Sequence, residues 1–146
     1  MSDTTCLFCR IAKGEIPAAK VYEDEIVLAF MDVHPVTQGH LLVVPKRHSV
    51  DLRDTDPVVL GQLLPRIQRI AHGLCQALGI EGFNLEQNNG KVAGQVIPHL
   101  HFHLIPRRSD DGLKHWPALA IEPTAEERAA LAVQIRAAIQ PTVQAI

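Results

Sequence analysis

The sequence predicts an α+β domain built on an antiparallel sheet of about five strands, with one long helix and one C-terminal helix. Three observations carry this expectation. Several short apolar segments read as strands, only two stretches show helical spacing, and neighbouring strands are joined by hairpin-length connections.

Residues 1–19 hold two close cysteines, Cys6 and Cys9, then Gly14 and Pro17. Val21-Tyr22 and Ile26 to Met31 read as strands of a hairpin joined by the acidic turn Glu23-Asp24-Glu25. Asp32 to Gly39 reads as loop, and His40 to Val44 as a short apolar strand stopped by Pro45. Thr55 or Asp56 is placed to cap a long helix, with Pro57 just inside its first turn. Leu60, Leu63, Leu64, Ile67, Ile70, Ala71, Leu74 and Leu78 then recur at helical spacing, and Gly79 fits the stop. Pro65 lies inside the pattern and is expected to kink or interrupt it. Phe83 to Gln87 reads as a strand, Asn88-Asn89-Gly90 as a turn, and Lys91 to Pro98 as a loop carrying Gly94. A histidine-rich strand over 98–106 follows. Thr124-Ala125-Glu126-Glu127 is a capping box opening the last helix, with Ala130, Leu131, Ile135 and Ile139 on its apolar side.

Composition narrows the function classes. The chain has 146 residues, 47% hydrophobic and 21% charged, with a net charge of -2. That is an ordinary globular balance, with no basic stripe to argue for a nucleic-acid partner. The longest apolar run, Ile26 to Met31, is far short of the ~20 residues of a membrane helix. The polar start Met1 to Thr5 lacks a signal pattern, so a cytoplasmic location is expected. Three cysteines do not make a disulfide framework.

The chemistry concentrates in Pro98-His99-Leu100-His101-Phe102-His103-Leu104-Ile105-Pro106. Strand side chains alternate, so a strand here lines His99, His101 and His103 on one face and Leu100, Phe102 and Leu104 on the other. The apolar face would lie on the core and leave the imidazoles open for proton transfer, nucleophilic attack or metal binding. His101 is the candidate nucleophile. With one ring nitrogen bonded to a backbone carbonyl, the other presents a lone pair able to attack phosphorus. This reading needs the central ring open to solvent, with room for phosphorus in front of it. His103, on the same face, would bond the phosphate or the leaving oxygen.

The loop Asn88 to Gln95 offers amide side chains and close backbone N–H groups for an anion, with Gly94 allowing close approach. Asp32, at the end of an apolar strand, suits both hydroxyls of a ribose or simply starts a loop. Cys6-Leu7-Phe8-Cys9 reads as half of a zinc site or as unliganded thiols, and no βαβ context supports a redox pair. His48 and His99 are candidates to complete such a site. His40 reads as supporting or structural, and Cys75 as a small core residue. Arg107 and Arg108 read as solvated, and His34, His72 and His115 have no evident partner.

His99 to Ile105 resembles the histidine triad (HIT) pattern, His-φ-His-φ-His-φ-φ with φ apolar. Ile26 to His48 resembles that family's strand, aspartate and Pro-Lys-x-His segment, and Asn88 to Pro106 its asparagine, Ala-Gly-Gln loop and triad strand. The resemblance implies a single domain over residues 1–146, paired into a homodimer with a sheet continuous across both protomers. It implies a nucleotide-binding hydrolase or transferase acting at the α-phosphate of a purine nucleoside phosphoanhydride or phosphoramidate through a nucleotidyl-histidine. His101 would be the nucleophile and His103 the leaving-group residue. Asp32 would hold ribose, and Asn88, Gly94, Gln95 and the Val96 backbone would contact phosphates. In the bacterial-type branch with an N-terminal Cys-x-x-Cys, Cys6, Cys9, His48 and His99 would be the ligands of a structural zinc.

Val96 stands where some branches carry Ser or Thr. This counts against a close match to the phosphoramidate-cleaving and diadenosine-triphosphate-cleaving branches. His103 counts against the uridylyltransferase branch, which has Gln there. Two rival readings are a nucleotide-sensing scaffold with vestigial hydrolysis and a catalytic zinc held by all three histidines.

Overall fold

The computed structural model describes residues 4–114 and 121–139. They belong to two compact units, Met1–Gly112 and Leu113–Ile146. In the first unit β1 (Lys20–Glu23), β2 (Val27–Met31), β3 (Leu41–Pro45), β4 (Gly82–Glu86) and β5 (Phe102–Arg107) form one antiparallel sheet in the order β1-β2-β3-β5-β4. Helices α1 (Leu7–Ala12) and α2 (Pro57–Leu78) accompany it, with a 3₁₀ turn at Lys91–Ala93. The fold class is α+β, as the strand and turn pattern predicts.

The hairpin is closed by Asp24. One carboxylate oxygen accepts from the Ile26 and Val27 N–H groups, both at 2.8 Å, and the other from the Tyr22 hydroxyl and from Arg66 on α2. Burial works against the charge, but these donors outweigh it and hold the carboxyl well below the usual range. The central strands read as unbroken apolar runs because both faces are covered. Val27, Ala29, Leu41 and Val43 pack with Leu63, Ile67, Ile70 and Ala71 of α2 and with Leu100 and Leu104. Leu28, Phe30, Leu42 and Val44 pack on the other face with Cys6, Phe8, Cys9 and Ile11. The second layer includes α1, a six-residue helix that the sequence reading leaves unassigned. It is too short to show periodicity, and tertiary packing holds it in place.

Three expectations are corrected. Helix α2 runs unbroken through Pro65. Pro65 and Gly61, whose carbonyl loses its partner, both lie on the exposed face, so the unpartnered carbonyl is not buried in the core. Leu64 is exposed rather than part of the buried stripe. The histidine strand begins at Phe102, not at residue 98. The His99 N–H turns back to the Ile97 carbonyl at 2.8 Å, and the Leu100 N–H goes to the Ser49 carbonyl at 2.9 Å, so this backbone bonds outside the ladder.

Asp56 caps α2 by accepting from the Val58 N–H at 2.8 Å, and Gly79 ends it. Gly39 has a left-handed φ of 93°, and a Cβ there would meet Leu78 Cδ1 at 2.4 Å and Pro106 Cγ at 3.1 Å, so a side chain at this position would be strained and would force Leu78 to shift. In the second unit α3 (Ala125–Ala138) opens on the expected capping box, with both bonds between Thr124 and Glu127 formed. Leu131, Ile135 and Ile139, expected to form its apolar side, are exposed, and Ile139 lies just past its end. His115 lies outside the described residues. Among those residues no helix is long and apolar enough to cross a membrane.

Candidate functional site

The register of β5 decides which face carries the histidines. His103 pairs with Leu42 and Leu104 with Leu41. Leu104 therefore enters the α2 layer, and His103 faces the α1 side. His101 lies beside it, the two rings 5.0 Å apart. The His99 ring packs instead against His48, at 5.0 Å.

His101 is not the open ring that a bare strand face would leave. It is buried, at 6% exposure, with the Phe8 ring edge-on at 5.2 Å. The cover is the unassigned helix α1. What remains open is one atom. Nδ1 lies 2.6 Å from the His99 carbonyl, so it carries the proton and donates. Nε2 has no hydrogen-bond partner among the described residues, and none of their fully buried side-chain polar atoms lacks one. Nε2 therefore meets solvent with its lone pair free. Burial depresses the pKa of this ring, against the raising effect of the His99 carbonyl and Asp32, and keeps it neutral.

His103 is oriented by His40. The Val36 N–H donates to His40 Nδ1 at 3.0 Å, so the His40 proton sits on Nε2. That atom lies 2.9 Å from His103 Nδ1 and donates to it. The His103 proton is thereby placed on Nε2, where it can donate a hydrogen bond. Burial pushes the His103 pKa down to about 4, with His101 and His40 adding to the effect. Asp32 closes the group, one oxygen 3.5 Å from His40 Nε2 and the other accepting from the His34 N–H at 2.8 Å. The sequence marks His40 only as supporting or structural. Its signal is position, since it opens the strand that pairs with β5. Asp32, His40 and His103 are close enough to hold a cation, but the proton that Val36 fixes on His40 Nε2 occupies the needed lone pair.

In neutral form these rings support stability. A histidine held down at about 4 against its ordinary 6.5 favours the folded state fully above pH 6.5 and loses that contribution as pH falls through 4. For His103 this is on the order of 3 kcal/mol. The melting temperature should fall steadily from pH 7 to pH 4, and His103→Asn should flatten that slope. A slope unchanged by the substitution would show that His103 does not carry it.

The loop after β4 brings Asn88, Gly94, Gln95 and Val96 together. Asn88 makes no side-chain hydrogen bond among the described residues. Gly94 has a left-handed φ of 89°, and a Cβ there would come within 3.8 Å of Asn88 Nδ2. Gln95 is buried, whereas Val96 is 84% exposed.

The four metal candidates converge. His48 and His99 Nδ1 are 3.2 Å apart, Cys9 Sγ is 3.3 and 3.5 Å from them, and Cys6 Sγ is 3.4 Å from His99 Nδ1. Zinc bonds of about 2.0–2.3 Å give tetrahedral edges of roughly 3.3–3.8 Å, so these separations fit. The donor chemistry fits as well. His99 Nε2 donates to the Pro45 carbonyl at 2.8 Å and leaves Nδ1 as the lone pair facing the sulfurs. Burial, His48 and His101 push the His99 pKa down to about 4, so the ligand is neutral. No donor cluster among the described residues contains His99, His101 and His103 together, which removes the reading of a catalytic three-histidine metal site.

Comparison with known proteins agrees with this geometry. The family model described as HIT domain matches residues 13–110. The adenosine 5′-monophosphoramidase of Schizosaccharomyces pombe is 38% identical, with 93% of this chain and 99% of that protein covered. Val96 therefore does not set the chain far from phosphoramidase relatives. A Streptococcus mutans protein of known crystal structure superposes with a TM-score of 0.89 at 40% identity, covering 95% of this chain and 88% of that one. A Zn-bound histidine triad family protein from Mycobacterium smegmatis superposes with a TM-score of 0.71 at 41% identity, covering 92% and 98%.

Proposed function

The chain belongs to the HIT family, and from that premise we propose that it hydrolyses a purine nucleoside phosphoramidate or phosphoanhydride at the α-phosphate. The observation that carries this reading is the His101 ring, its Nδ1 tied to the His99 carbonyl and its Nε2 left free. Nε2 attacks the α-phosphorus, and a P–N bond from phosphorus to His101 forms as the bond to the leaving group breaks. His103 donates a hydrogen bond from its Nε2–H to that group, which takes its proton from solvent as it departs. In the second step water attacks phosphorus as the P–N bond to His101 breaks, and the proton that the water loses passes to solvent. The products are a nucleoside monophosphate and the restored pair.

Asp32 would hold the ribose, and Asn88, Gly94 and the Val96 backbone the phosphate oxygens. Cys6, Cys9, His48 and His99 would hold a structural zinc, whose contribution is to fix the segment leading into β5. A cytoplasmic location accords with a chain that shows no membrane-spanning helix among its described residues.

The test is turnover against adenosine and guanosine phosphoramidates and dinucleoside polyphosphates. Release of the nucleoside monophosphate from at least one of them supports the reading. Background rates throughout, with nucleotide still bound, would leave the sensing scaffold.

The active unit is proposed to be a homodimer, residues 1–146 acting as one domain in each protomer. Among the described residues strand β4 is a sheet edge, paired only with β5, and it exposes Phe83 and Leu85 beside Leu64 and Cys75 of α2. An apolar edge of this kind invites pairing with a second copy. Trp116, the other residue considered for a subunit contact, lies outside the described residues. Leu85→Asp should shift the sedimenting species from dimer to monomer, whereas an unchanged dimer would exclude this edge.

A further inference from the structure

The loop between β4 and the triad holds a glutamine whose side chain is fully engaged. Gln95 Oε1 accepts from the Gly90 N–H at 2.8 Å. Its Nε2 donates to the Val50 carbonyl at 2.6 Å and to the Ile97 carbonyl at 3.1 Å. Its own N–H returns to the Gly90 carbonyl at 3.1 Å. An amide side chain has two donor hydrogens and one carbonyl, and all three groups are in use here. With the residue buried, nothing of Gln95 is left to meet a phosphate, which is the role that resemblance alone would give it.

The same bonds decide which main-chain donors are free. From Gly90 to His99, the N–H groups of Gly90, Ala93, Gly94, Gln95 and His99 are all bonded internally. Those of Lys91 and Val92, at the start of the 3₁₀ turn, and those of Val96 and Ile97, two consecutive groups immediately after the glutamine, make no hydrogen bond among the described residues. Gln95 fixes the backbone on both sides of them, at Gly90 and at Ile97, and ties it to the Val50 segment. The neighbouring Ser49 carbonyl receives the Leu100 N–H, one residue before His101.

We infer that Gln95 is a positioning residue that holds the Val96 N–H out as a phosphate donor, so that its side chain acts on substrate only through the backbone it fixes. This rests on the nucleotide reading above, which already gives the Val96 backbone to phosphate, and goes beyond it by replacing the direct Gln95 contact that the resemblance implies with a positioning role. It also accounts for the valine. A donor supplied by the backbone does not need a hydroxyl at residue 96.

Amide NMR of the wild-type chain titrated with AMP, adenosine and pyrophosphate tests this directly. The Val96 N–H should shift strongly with AMP and pyrophosphate and little with adenosine, while the Gln95 side-chain NH₂ signals stay in place. Gln95→Met keeps the length and loses all three bonds. It should weaken AMP at least about tenfold and adenosine by less than about twofold.

Gln95 NH₂ signals that move with AMP while Val96 stays still would overturn the assignment in favour of direct contact. Equal losses for AMP and adenosine in Gln95→Met would overturn it in favour of a general structural role. If Gln95→Met fails to fold, the wild-type titration decides alone. A Val96 response to pyrophosphate without any to AMP would defeat the nucleotide reading and keep the positioning role. Silence to both would defeat the positioning role.

Discussion

His101→Ala should lower turnover by at least about 10³-fold, roughly 4 kcal/mol of lost transition-state stabilisation, while nucleotide affinity should stay within about tenfold. The asymmetry follows from what the ring touches. Its Nδ1 is bonded within the protein, so the substitution removes one lone pair from the site and no hydrogen bond to a bound nucleotide. The neighbouring histidine cannot take over. His103 Nδ1 receives the His40 proton, and its Nε2 carries its own. Steady-state rates with AMP titrations read both halves of the prediction. His103→Ala should behave differently. It leaves the nucleophile and removes the hydrogen bond to the leaving group, so its defect should grow as the leaving group becomes more basic. Undiminished hydrolysis by His101→Ala would end the nucleophile assignment and, with it, the covalent route.

The sequence made the face of the sheet legible and misjudged its cover. Alternation along His99 to Leu104 places His101 and His103 on one side with apolar partners on the other, which β5 bears out from Phe102 onward. Two things were not visible. The backbone over 97–100 bonds to Ser49 and to itself, a tertiary choice that no local pattern encodes. Helix α1 brings Phe8 onto His101 and buries it, and six residues offer too little periodicity to announce a helix. The cysteine spacing gave half of the donor set and made His48 and His99 candidates for the rest, which the resemblance also implies; both lie within 3.5 Å of Cys9 Sγ, and His99 is 3.4 Å from Cys6 Sγ. Pro65 misled because the cost of a proline inside a helix depends on whether the orphaned carbonyl faces core or water, and sequence alone does not say which.

Stripping the metal separates fold from chemistry. The chain should purify with one zinc per protomer, and chelation under reducing conditions should lower its melting temperature by on the order of 10 °C. Free zinc at about 1,000 times its dissociation constant stabilises the folded state by about 4 kcal/mol. A chain of this size gains roughly 2–4 °C per kcal/mol. Cys9→Ser, which removes the sulfur that lies within 3.5 Å of both His48 and His99, should lose the ion without any chelator. Well below the melting temperature the stripped protein should still turn over, because neither His101 nor His103 is one of the four donors. Abolished turnover with the fold intact by circular dichroism would place the metal in the reaction. A melting temperature indifferent to chelation, with no zinc recovered from the purified chain, would make the cysteines ordinary core thiols. The coupling that would remain is mechanical. His99 offers Nδ1 to the donor cluster and its carbonyl to His101, so loss of a bound ion would loosen the residue that orients the proposed nucleophile. The stripped enzyme should therefore lose activity on warming at a lower temperature than the loaded one, in step with its melting curve.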